Sequence, residues 1–131
     1  MIGLIFVTHG NLAREFLSVL EHVVGPQKNI GILCIHPQDD MDQKRLELQH
    51  KITQVDQGKG VIILTDMFGG TPSNIALTTM NKDQVEVLAG MNLPMLVKLM
   101  SLRVDYSLKD AVHHAQEAGK KYIHLASTLL K

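Results

Sequence analysis

The sequence predicts an α/β fold, a doubly wound three-layer sandwich around a mostly parallel sheet. Three observations carry this expectation. Continuous apolar runs at Ile2–Val7, Ile30–Ile35 and Val61–Thr65 are the length of strands buried on both faces. Segments of helical spacing alternate with them. Each run ends in glycine, proline or a capping residue. Strands alternating with helices are joined by right-handed crossovers and covered on both faces.

After the first run, Asn11 is placed to cap a helix in which Leu12, Phe16, Leu17, Leu20 and Val24 recur at helical spacing. Gly25-Pro26 stops it. The second strand leads into a turn at Pro37–Asp40, with Asp39 or Asp40 as N-cap. A more polar helix follows to about Val55, burying Leu46, Leu48 or Ile52 on one side. Gln57–Gly60 breaks the chain before the third strand. Thr71-Pro72 reads as an N-cap with proline at the first helical position, opening a helix to about Met80. Gln84–Ala89 is the fourth strand. Asn92-Leu93-Pro94 opens a helix through Leu99, and Ser107–Asp110 resembles a capping box for a last helix ending near Gly119. Tyr122–Ala126 is expected as a short final strand.

With 131 residues the chain is expected to form one domain, 1–131. Thirteen basic residues balance thirteen acidic ones, so no broad field points to nucleic acid or an anionic membrane. The one cysteine, Cys34, lies in an apolar strand and reads as a buried thiol. No secretory leader pattern precedes Ile2, and no apolar run approaches the ~20 residues of a membrane span. A cytoplasmic protein is expected.

In the common strand order 2-1-3-4, the loops leaving strands 1 and 3 diverge and open a crevice at the carboxyl edge of the sheet. His9 follows strand 1 and Asp66 follows strand 3. A neutral imidazole has one nitrogen free to attack phosphorus, provided the other carries the proton. A carboxylate accepting that N–H fixes the tautomer, and Asp66 is the natural partner. A lone histidine elsewhere is more often a satisfied or solvent-facing residue, and an aspartate alone is as readily a turn residue.

The stretch Gly69-Gly70-Thr71-Pro72-Ser73-Asn74 offers glycines for close backbone approach, with Thr71 and Ser73 as hydroxyl donors. It is neither a Walker A loop nor a dinucleotide fingerprint, and by itself it reads as a tight turn and a cap. Met67 and Phe68 are large apolar residues in a loop and suggest a protein-docking patch beside the histidine. The remaining histidines are scattered, and no metal motif and no cofactor are expected.

Phe6–Gly10, Leu64–Asn74 and Ala89–Leu96 together resemble the mannose-family enzyme IIA domain of the bacterial phosphoenolpyruvate-dependent sugar phosphotransferase system. The resemblance spans nearly the whole chain. It implies that His9 accepts a phosphoryl group at Nε2 from the phosphocarrier HPr and passes it to an enzyme IIB histidine. Asp66 would orient the ring, and Gly69, Gly70, Thr71 and Ser73 would hold the phosphate. It also implies a homodimer exchanging a C-terminal antiparallel strand, here Tyr122–Ala126. Contact with the membrane would be indirect, through the IIC/IID permease. Many relatives continue into a IIB domain, whereas this sequence ends at Lys131. The expectation is a separate IIB subunit or a regulatory branch.

Four other readings compete. The phosphotransfer subunit of a dihydroxyacetone kinase tends to carry His-Ser where this chain has His9-Gly10. A receiver domain needs an acidic pair where this chain has Thr8-His9. A non-catalytic interaction module would take no phosphate from any donor. A serine hydrolase at Ser73 lacks its nucleophile elbow.

Overall fold

The computed structural model describes residues 1–130. Four strands, β1 (Gly3–His9), β2 (Ile30–Ile35), β3 (Val61–Thr65) and β4 (Val85–Ala89), form one all-parallel sheet in the order β2-β1-β3-β4. Successive side chains of a strand point to opposite faces, so β1 divides its apolar residues between two cores. Leu4 and Phe6 join Ile62 and Leu64 of β3 on one face. Ile5 and Val7 join Val61 and Ile63 on the other. All eight are fully buried, and each such side chain contributes about 1.5–3 kcal/mol.

The first face is covered by α1 (Leu12–Val24), α4 (Leu93–Asp105) and α5 (Leu108–Lys121), through Ala13, Leu20, Leu96, Leu99, Ala111 and Ala115. The second is covered by α2 (Met41–Val55) and α3 (Thr71–Leu77), through Leu48, Val55, Ile75 and Ala76. The three-layer sandwich and the strand order are as the sequence predicts.

Several boundaries differ, each for a local reason. Asn11 holds the N-cap position of α1 but its side chain caps nothing. The hydroxyl of the buried Thr8 does so instead, accepting from the Ala13 N–H at 2.7 Å. Asp40 caps α2 by accepting from the N–H groups of Asp42 and Gln43. Leu46 lies exposed on that helix, while Leu48 is buried. Gly70 rather than Thr71 is the N-cap of α3, which ends at Leu77, short of Met80. Asn92 caps α4 as expected, but the helix continues beyond Leu99 to Asp105 because Leu99 and Leu102 keep its buried stripe going. Of the capping box at Ser107, the hydroxyl half forms, accepting from the Asp110 N–H at 3.2 Å.

The largest correction is at the C-terminus. Tyr122–Ala126 is not a strand. Residues 123–125 have no regular structure, and a short helix, α6 (Ala126–Leu129), follows. α5 ends in the helical layer, and Tyr122 lines a groove there together with Leu93 and Lys98 of α4. A strand needs a sheet edge to pair with, and the tail pairs with neither β2 nor β4 of its own sheet. Ile123, Leu125, Leu129 and Leu130 remain exposed.

One buried charge stands out at the amino edge of the sheet. Arg103, on α4, is enclosed; its Nε and one Nη contact the Met1 sulfur, and that Nη also donates to the Lys28 carbonyl. Its other Nη finds no partner among the described residues. Burial holds the guanidinium pKa below its ordinary value.

Candidate functional site

The site grows from two adjacent strands that end at the same edge. Val7 of β1 pairs with Thr65 of β3, so both strands deliver their next residues to one crevice. His9 completes β1, and Asp66 is the first residue after β3. Asp66 Oδ2 accepts from the His9 backbone N–H at 3.1 Å and lies 2.9 Å from His9 Nδ1. Asp66 Oδ1 accepts from the Met67 N–H at 3.1 Å. An ionised carboxylate only accepts hydrogen bonds, so Nδ1 carries the proton. In the neutral ring Nε2 therefore holds the lone pair. Among the described residues nothing hydrogen-bonds Nε2, and the His9 side chain is 48% exposed against 12% for Asp66.

The loop that follows curls back over the ring. Gly69 and Gly70 have φ of +86° and +90°, a region that side chains rarely adopt. A Cβ on Gly70 would lie 3.2 Å from His9 Cε1 and 3.3 Å from Nε2. A side chain at Gly70 would crowd the ring, which would have to give by a few tenths of an ångström. Among the described residues, the N–H groups of Gly69, Gly70 and Thr71 donate to no protein acceptor. Thr71 is exposed at the start of α3. Ser73 is fully buried in the first turn, and its Oγ has no partner among the described residues. Met67 and Phe68 are 54% and 74% exposed at the tip of the same loop.

The framework around Asp66 is tied down from the neighbouring strand. The Thr65 carbonyl accepts from the N–H groups of Gly90 and Met91 at 2.9 and 3.0 Å. Sequence reasoning missed this anchor, because a backbone carbonyl has no signature. It also missed Thr8, whose hydroxyl fixes the start of α1 just past the histidine; its spacing to Ala13 was the available signal. A third feature was hidden in what read as scattered residues. His36, just after β2, donates its N–H to Asp39 Oδ2 at 2.8 Å, with its ring Nδ1 3.6 Å from the same oxygen. This repeats the His9–Asp66 arrangement more loosely, without a glycine loop. The His36 N–H does most to hold the Asp39 carboxyl below its ordinary pKa; desolvation opposes it, and the Lys44 charge and the His36 ring add smaller lowering contributions.

No group of three or more His, Cys, Asp or Glu side chains among the described residues is arranged to hold a metal ion. No helix among them is long and apolar enough to cross a membrane.

Residues 3–116 match the family model EIIA-man, described as the PTS system fructose IIA component. The chain belongs to the EIIA-man family. It is 34% identical over 122 residues to a mannose-specific EIIAB component of Escherichia coli, covering 92% of this chain and 38% of that protein. The chain thus spans well under half the length of the curated relatives of that kind. It is 31% identical to a sorbose-specific EIIA component of Lacticaseibacillus casei, covering 91% of this chain and 86% of that one. A solved EIIA structure from Streptococcus agalactiae superposes with a TM-score of 0.86 at 31% identity, covering 98% and 99% of the two chains. EIIA-man membership favours the phosphotransferase-system reading over the receiver and hydrolase readings.

Proposed function

We propose that this EIIA-man protein is a phosphocarrier of the phosphoenolpyruvate-dependent sugar phosphotransferase system. His9 Nε2 attacks the phosphorus of phospho-HPr in line. The donor's N–P bond breaks as the Nε2–P bond forms, and the proton stays on Nδ1, held by Asp66. The reverse polarity of the same step hands the phosphoryl group to a histidine of enzyme IIB. Positioning and charge stabilisation supply most of the catalysis in such a displacement.

The observation that carries this reading is the 2.9 Å contact between His9 Nδ1 and Asp66 Oδ2, which leaves Nε2 free beneath a loop of unpaired N–H groups. Gly69, Gly70 and Thr71 cradle the phosphate, and the unpartnered Ser73 hydroxyl is a further donor in the same loop. Met67 and Phe68 form the apolar patch on which HPr and then IIB dock. The protein works in the cytoplasm and meets the membrane only through a IIC/IID permease. It forms a homodimer through its C-terminal segment, whose exposed Ile123 and Leu125 suit a neighbouring copy. Relatives named for mannose, fructose and sorbose share this architecture, in keeping with a carrier that handles phosphate rather than sugar.

The test is mass spectrometry after incubation with phosphoenolpyruvate, enzyme I and HPr. The expected result is an HPr-dependent gain of one phosphate on His9, labile in acid and stable in base, and absent from a folded His9→Ala variant. Absence of the gain in an active relay, or its persistence in His9→Ala, overturns the assignment.

A further inference from the structure

Each of the two paired site residues follows a buried threonine. Thr8 precedes His9, Thr65 precedes Asp66, and both threonines are fully buried. Thr65 is in register with Val7 rather than Thr8, so the two hydroxyls leave the sheet on opposite faces. Thr8 turns toward α1, where its Oγ accepts from the Ala13 N–H at 2.7 Å. Thr65 Oγ donates to the Met67 carbonyl at 3.4 Å. One hydroxyl ties the chain after the histidine, the other the chain after the aspartate.

The first tie is the shorter, and His9 lies inside the span it closes. Ala13 is fully buried, and among the described residues no backbone carbonyl accepts from its N–H. Asn11, in the N-cap position, caps nothing with its side chain. A buried N–H stripped of its acceptor forces the chain around it to rearrange. Between the two ends, Gly10 turns the chain at a φ of +53°, and its N–H donates to the Ile35 carbonyl at 2.8 Å. The main chain around His9 is thus held three times: by Asp66 at its own N–H, by Ile35 at the next, and by Thr8 at the start of α1.

These ties bear on the ring because one oxygen serves both parts of the histidine. Asp66 Oδ2 takes the His9 backbone N–H at 3.1 Å and lies 2.9 Å from Nδ1. Nδ1 stays on that oxygen only while the His9 Cα–Cβ bond keeps its direction. We propose that Thr8 is a positioning residue for phosphoryl transfer: its hydroxyl, by closing the chain onto the Ala13 N–H, holds the His9 ring on Asp66 with Nε2 free. Thr8 acts through His9 and, being fully buried, touches neither donor nor phosphate. The effect on rate rests on the phosphocarrier reading, whereas the effect on the ring does not.

The experiment compares Thr8→Val, which keeps the shape and loses the hydroxyl, with Thr8→Ser, which keeps the hydroxyl. Leu20→Ala, at a buried position further along α1, loosens the same helix away from the histidine. Ring ¹⁵N shifts of His9 at about pH 8.5, where an ordinary imidazole is neutral, report the tautomer. Rapid-quench kinetics with phospho-HPr report transfer. The parent, Thr8→Ser and Leu20→Ala are expected to carry the proton on Nδ1, and Thr8→Val to show shifts averaged over both tautomers. In Thr8→Val kcat falls roughly tenfold while KM stays within about twofold, and Thr8→Ser restores kcat. Thr8→Cys, with a weaker acceptor, shows the same changes in smaller measure and serves in place of a valine variant that does not fold. Four results overturn the proposal: parent-like ring shifts in the folded valine or cysteine variant, no rescue by serine, equal changes in Leu20→Ala, or an unchanged kcat where the parent is active. If the parent itself takes no phosphate in an active relay, the phosphocarrier reading fails, and the ring shifts alone decide the role of Thr8.

Discussion

Gly70 approaches the imidazole of His9 so closely that a Cβ would stand 3.3 Å from Nε2, the nitrogen left without a partner. Gly69 has nearly the same φ, +86° against +90°, yet a Cβ there would meet nothing within 4 Å. The pair separates backbone strain from crowding at the reacting atom. Alanine at either position costs about 1–3 kcal/mol of local strain. Gly70→Ala is expected to slow phosphoryl transfer far more than Gly69→Ala at similar thermal stability. Equal transfer rates would show that the loop's approach to the ring is incidental.

Asp66 bonds the His9 N–H, Nδ1 and the Met67 N–H. Asp66→Ala frees the ring to rotate and to place its proton on Nε2. Transfer from phospho-HPr is expected to fall by roughly tenfold or more, since fixing the tautomer is what such a carboxylate does. The groups it leaves behind are reachable by water, so stability falls by only about 1 kcal/mol. Rapid-quench phosphorylation and thermal melts, read together, check this. A large drop in melting temperature with unchanged transfer would make Asp66 structural.

Phe68 is 74% exposed, so its removal hardly touches the core. Phe68→Ser is expected to leave stability within about 0.5 kcal/mol. KM for phospho-HPr rises severalfold while kcat changes little, because docking area is lost and the transfer geometry is not. An unchanged KM would remove the loop tip from the docking surface.

Arg103 is a buried cation facing a thioether and a carbonyl, with one Nη unpaired among the described residues. Replacing such a group by an apolar side chain of similar length is often neutral or stabilising. In urea unfolding, Arg103→Met is expected within about 1 kcal/mol of the parent, and Arg103→Ala about 2–4 kcal/mol below it, from the cavity left. The pH dependence follows from the sign. Burial lowers the folded-state pKa, so the charge opposes folding at every pH below that value and is relieved only as pH rises through it. Parent and Arg103→Met stabilities should therefore run parallel from about pH 5 to 9. A stable Arg103→Ala would mean that the side chain contributes no packing.

What was legible in the sequence was the set of features repeated along the chain. Apolar runs at Ile2–Val7 and Val61–Thr65 specify buried strands because burial on both faces demands an unbroken run. Their C-terminal residues then place His9 and Asp66 at one edge, once alternation implies a parallel sheet. Glycines 69 and 70 were legible as a turn. Contacts between distant residues were not. That Thr8 rather than Asn11 caps α1, that Gly70 lies against Nε2, and that the Thr65 carbonyl is held by residues 90 and 91 depend on angles between packed elements. The tail shows the difference most clearly. Tyr122–Ala126 has the composition of a strand, but a strand exists only where it pairs with a sheet edge, and the tail pairs with neither edge of its own sheet. Apolar spacing acts within one element and survives in the sequence. Pairing and close approach join elements far apart in the chain, and only packing brings them together.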